Sequence, residues 1–262
     1  MSGSTIWDLR AEKVVSEIRA GKRSDGRAFD QYRNIELETN MIESAEGSAR
    51  VKFGQTDVIV GVKMFPETPY PDMPDEGSIS VNCELLPMAS TDYESGPPSE
   101  SSIELARVVD RGIRESQCMD FKEFCIVEGE KVWVVYIEIN VLNYDGNLFD
   151  AASFAAMAAL KHTKVPKLDD EYQIVKGEFE GTLKLARTSL MTTYAKIGNS
   201  IIVDPDEAEE KAMSARFSIA TTNDGYISAF QKGLSGSFTV DEINKCVDDA
   251  FKHTSALMKH LR

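Results

Sequence analysis

Gly47-Ser48-Ala49 … Phe53-Gly54-Gln55-Thr56, followed by Val58-Ile59-Val60-Gly61-Val62, constrains the fold of this chain more than any other stretch. Thr56, Val58, Val60 and Val62 alternate along one face and are mostly β-branched, the side chains that best suit a pleated surface. The pattern predicts strands at 49–53 and 57–63, with a sheet built around them.

Other strands are expected at 33–37, 79–85, 124–127 and 131–142, then at 189–195, 200–203, 215–221 and 226–232. Asn223-Asp224-Gly225 signals a tight hairpin between the last two. Phe65 to Gly77 carries Pro66, Pro69, Pro71 and Pro74 and is expected to project as a loop. Helices fall between the strand groups. Ile6 to Ala20 places Ile6, Leu9, Val14 and Ile18 on one face and stops at Gly21. Ser101-x-x-Glu104 reads as a capping box, followed by the apolar stripe Leu105, Val109 and Ile113. An alanine-rich helix covers about 148–161. A last helix over 239–261 starts with a second capping box, Thr239-x-x-Glu242, and presents Ile243, Val247, Phe251, Thr254 and Met258. Grouped strands with helices between them give an α+β chain of two similar halves.

A chain of 262 residues that is 42% hydrophobic can bury a substantial core. Its net charge of −14 argues against binding nucleic acid alone, so any contact with RNA needs local positive charge or a partner that supplies it. No secretory signal is evident at the start, and the low-polarity run at 149–160 is too short to cross a bilayer. No membrane role is expected. Cys83, Cys118, Cys125 and Cys246 form no CxxC pair, which suits free thiols in a reducing cytoplasm and not a zinc site. His162, His253 and His260 form no ligand set either.

The 47–62 stretch, together with Arg23-Ser24-Asp25-Gly26-Arg27, resembles the opening of an RNase PH-type domain, the fold of phosphate-dependent 3′→5′ ribonucleases. Within that family the chain most resembles the non-catalytic RNase PH-like subunit of the archaeal exosome. The resemblance implies two βαβα-type (ribosomal protein S5 domain 2-like) halves, 1–166 and 167–262, with the boundary region near Lys167 to Gly181.

Phosphorolysis of RNA needs cations on the 3′-end phosphates, donors for inorganic phosphate, and a carboxylate that helps the leaving oxygen depart. Active family members have an Arg pair after a Pro-Ser, a Gly-(Ser/Thr)-Arg element before the alanine-rich helix, and an Asp in an Ala-Asp-Val context. Here Pro98-Ser99 is followed by Glu100 and Ser101. The second region reads Asn143-Tyr144-Asp145-Gly146-Asn147-Leu148-Phe149-Asp150, without arginine, and Asp150 is expected to cap the helix or offset its dipole. The third reads Ala215-Arg216-Phe217, and an arginine cannot protonate a leaving group at neutral pH. The acidic run Asp204-Pro205-Asp206-Glu207-Ala208-Glu209-Glu210 is expected to be solvated and not to hold a metal. No catalytic or metal-binding residue is therefore assigned.

Arg107, Arg111 and Arg114 lie within about 60° of one another on a helix, opposite Leu105, Val109 and Ile113. Such a stripe can be a solvated face laced by pairs such as Asp110–Arg114, each contributing about 0.3–0.5 kcal/mol. By resemblance, Arg107 and Arg111 match arginines that face the RNA path and would grip its phosphates without reading bases. The resemblance then implies a cytoplasmic subunit that is inactive alone. It pairs with a catalytic RNase PH-like chain as a trimer of heterodimers, a hexameric ring that threads single-stranded RNA and carries RNA-binding cap subunits. Inorganic phosphate and Mg²⁺ would serve the catalytic partner, not this chain. Two alternatives stand beside this one: an independently active phosphorolytic exoribonuclease or tRNA 3′-end processing enzyme, and a plain scaffold with no RNA role.

Overall fold

Alternating burial along Gly47–Phe53 (β2) and Thr56–Glu67 (β3) folds them into a hairpin whose register pairs Phe53 with Thr56. Gly54, the first central residue of the turn, has φ 58°, the position where a II′ turn takes glycine. Thr56, Val58, Val60 and Val62 are fully buried, as their alternation predicts. The structure, a computed structural model, describes residues 2–261.

The first sheet has the order β1-β2-β3-β6-β4, with β1 at Ile35–Thr39, β4 at Ser78–Leu85 and β6 at Lys131–Asn143. Short β5 (Cys125–Val127) also pairs with β6, and only β4–β6 is parallel within this sheet. The second sheet is antiparallel, in the order β10-β9-β11-β12. Its strands are β9 (Ser189–Ile197), β10 (Ser200–Val203), β11 (Ala215–Thr222) and β12 (Ile227–Gly233). Helix α3 (Leu148–Lys161) packs on β2 and β3 on one side and on β9 on the other. Every residue from Leu148 to Leu160 is buried, which explains a helix without a polar face. Helix α2 (Glu100–Arg114) covers β4 and reaches β12; α5 (Val240–Leu257) covers β9 and β11.

Several expectations need correction. Helix α1 spans Ser2–Arg19; Val14 and Ile18 are buried but Leu9 is exposed, and the Ile6 side chain lies outside the described residues. β3 continues to Glu67 through Pro66, past the point where β2 ends, so the missing N–H breaks no ladder bond on that side. α2 is capped by Ser99, whose Oγ accepts from the Ser102 N–H at 3.2 Å, and not by a Ser101–Glu104 box. The expected box at Thr239 and Glu242 is present. The deepest line of α5 is Cys246, Ala250, Thr254 and Leu257, with Ile243, Val247, Phe251 and Met258 half-buried at its margins. Between the halves, β7 (Lys164–Leu168) and β8 (Ile174–Thr182) form a hairpin where no strand was expected. β8 is largely exposed, so burial never imposed an alternating pattern on it.

Candidate nucleic-acid interface and the cleft beside it

The three departures from the phosphorolytic pattern, far apart in sequence, meet in one cleft of about 340 Å³. Ser99 caps α2, which supplies Ser101 and Glu104; Leu148 and Phe149 come from the start of α3, Glu210 from α4 (Glu207–Ala212) and Arg216 from β11. At the place expected for a catalytic acid, Arg216 Nη2 lies 2.6 Å from Glu104 Oε1. Its guanidinium stacks over the Phe149 ring, 4.1 Å from the centroid.

The mouth of α3 holds an anion already, and it belongs to the protein. Glu210 Oε1 accepts the backbone N–H of Asn147 at 2.9 Å, and its Oε2 accepts the Tyr144 hydroxyl. Burial raises the Glu210 carboxyl above its ordinary range, and the bonds from Tyr144 and Asn147 oppose that rise. Gly146, at φ 81°, presses so closely on α4 that an added Cβ would sit 2.5 Å from the Asp206 carbonyl carbon. The loop is shut against the acidic helix. The Asn147 amide donor is taken, and the loop itself contributes no arginine side chain. Among the described residues no cluster of three His, Cys, Asp or Glu side chains could hold a metal.

The acidic run is not solvated, contrary to expectation. Asp204 and Glu209 are buried at 0% and 1% exposure. Arg33 holds Asp204 through two parallel bonds of 2.8 and 2.9 Å, Arg27 adds one at 2.9 Å, and Asn147 Nδ2 another at 2.7 Å. Burial alone would raise the Asp204 carboxyl, but the Arg33 bonds overcome it and hold it below the ordinary carboxylate range. Arg23 grips Glu209 with bonds of 2.6 and 2.8 Å and the carbonyls of Val203 and Asp204. The Arg23–Arg27 motif is thus a clamp between the N-terminal segment and the second half. Asp150 is no cap either. Its Oδ2 accepts from Tyr32, Asn147 and Thr193, tying α3 to β9.

On the outer face of α2 the three arginines differ. Arg114 is bound to Asp110 at 2.8 Å and to the Ile79 carbonyl. Arg111 is exposed and makes only 3.5 Å contacts to Phe230 O and Gln231 Oε1. Arg107 is exposed and has no hydrogen bond or ion pair among the described residues. Together with Asp110 and Glu115 they line a shallow open groove. Sequence reasoning missed Glu210 and Gln231; the first stood in the quoted acidic run, whereas nothing local marked the second.

Residues 31–166 match domain 1 and residues 190–253 match domain 2 of the 3′ exoribonuclease family, RNase PH. The chain belongs to the RNase PH family. Its curated relatives include the exosome complex component Rrp42 of Thermococcus gammatolerans, 47% identical over 97% of this chain and 94% of that one. The component of the same name from Methanothermobacter thermautotrophicus is 45% identical over 98% and 95%. Among solved RNase PH structures, a chain of the Archaeoglobus fulgidus exosome with RNA bound to the active site superposes with TM-score 0.93. It is 43% identical, covering 98% of this chain and all of that one. An archaeal exosome core chain gives 0.89 at 39% identity.

Proposed function

We propose that this chain is the non-catalytic RNase PH-type subunit of an archaeal exosome, a component of a phosphorolytic 3′→5′ exoribonuclease that is inactive alone. The carrying observation is the cleft in which Arg216 and Glu104 neutralise each other where a phosphate grip and an acid are required. The catalytic chain supplies inorganic phosphate binding and Mg²⁺. This chain completes the RNA cleft with Arg107 and Arg111, whose guanidiniums have no strong internal partner and are free for backbone phosphates. Three heterodimers close the ring, which removes open sheet edges such as β12, where Ile227 and Phe230 are exposed. Cap subunits deliver RNA to it, in the cytoplasm; no described helix is long and apolar enough to cross a membrane. The halves divide as 1–166 and 167–262; the six-stranded and four-stranded sheets fall on either side of that division, which itself passes through β7 of the connecting hairpin.

Incubating the purified chain with poly(A) and orthophosphate should release no nucleoside diphosphate. Adding the catalytic chain should give a species with equal copies of both, and activity. Release by the chain alone would overturn the proposal. In the ring, Arg107→Glu with Arg111→Glu should weaken RNA binding and flatten its salt dependence; an unchanged salt series would favour a plain scaffold.

A further inference from the structure

We infer that Arg216 is a positioning residue for the arginine stripe: by holding the Glu104 carboxylate, it keeps Arg107 and Arg111 available to RNA. The inference rests on the proposed RNA-facing role of that pair. Glu104 stands on the same face of α2, about 60° from Arg107 and about 20° from Arg111 at 100° per residue. A carboxylate three residues before an arginine is an ordinary intrahelical partner for it. Left to itself, Glu104 would pair with Arg107 and put a negative charge beside the incoming phosphates.

The second half prevents this. Glu104 Oε1 accepts from Arg216 Nη2 at 2.6 Å and from Gln231 Nε2 at 3.1 Å. The other end of the Gln231 amide, Oε1, faces Arg111 Nη1 at 3.5 Å. A continuous chain therefore runs Arg216–Glu104–Gln231–Arg111, from β11 across β12 to the outer face of α2. Arg216 is seated for this task. Phe149 packs under its guanidinium, and its cross-strand partner is Gly233, where a Cβ would stand 2.8 Å from Nη2. The arginine in place of the family's acid does more than remove a proton donor: it neutralises a carboxylate that would oppose RNA.

The test uses the assembled ring with its catalytic partner and a single-stranded oligoadenylate, with affinity read across a salt series. Arg216→Gln should weaken binding about threefold at low salt. Adding Glu104→Gln to that variant should restore wild-type affinity, because the offending charge is gone. Arg216→Lys should retain most of it. A purely structural role would lower the melting temperature without changing the salt slope of RNA binding. If the Arg216→Gln ring assembles and binds normally while Arg107→Glu with Arg111→Glu weakens binding, the positioning role falls and the RNA-facing pair stands. If neither weakens binding, both fall. Should Arg216→Gln fail to assemble, the Glu104→Gln/Arg216→Gln ring decides: wild-type affinity supports the inference, and weakened affinity overturns it.

Discussion

Glu210 Oε1 lies 2.9 Å from the backbone nitrogen of Asn147, so a carboxylate of α4 occupies the anion position at the mouth of α3. The free N–H groups and dipole of a helix start attract an anion. In this chain the attraction is satisfied internally, and it fastens the second half to the first.

Removing that carboxylate leaves the Asn147 N–H and the Tyr144 hydroxyl without their acceptor. Glu210→Ala is expected to cost about 1–3 kcal/mol in urea unfolding. As phosphate replaces chloride at matched ionic strength, the melting temperature of the unaltered chain should show only the gradual rise that an excluded salt gives. No early rise that levels off is expected, since that is the shift a ligand bound to the native state alone gives. A levelling rise with phosphate that Glu210→Ala alters would show orthophosphate bound beside Glu210.

Arg23 and Glu209 form an ion pair with side chains 0% and 2% exposed. Breaking such a pair from one side strands a buried charge, so Arg23→Met should destabilise by about 3–5 kcal/mol. Arg23→Met with Glu209→Met should recover part of the loss, because neither charge then needs water. Equilibrium denaturation of the two variants checks this.

Asp150 gives the chain an unusual pH response. Burial pushes its carboxyl up to about 7, against the opposing bonds from Asn147, Thr193 and Tyr32. Asp204 lies one side chain further on, since Asn147 donates to both carboxylates. A folded pKa above the unfolded one means the native state holds the proton more tightly. The resulting stability is fully present below about pH 4 and is lost as pH rises through 7. From pH 5 to 8 the wild type should lose roughly 2–3 kcal/mol that Asp150→Asn keeps. Urea midpoints of both proteins at the two pH values are the measurement; parallel pH profiles would refute it.

Residues close together in sequence determined much of this protein. The β2–β3 hairpin, the stripe of α2, the α5 capping box and the Asn223–Gly225 turn all depend on neighbours within a few positions. So did the loss of phosphorolytic chemistry, because an arginine at 216 cannot serve as an acid and the 143–150 segment holds no arginine, whatever the fold. Only the tertiary structure decided what those charges do instead. Glu104 is exposed enough to pass for a capping residue until β11 brings Arg216 to it across 112 positions. Asp204 and Glu209 look solvated until the N-terminal segment folds over them with three arginines. Charge sign is a property of one residue, whereas pairing and burial are properties of which distant segments pack together, and a linear sequence does not display that.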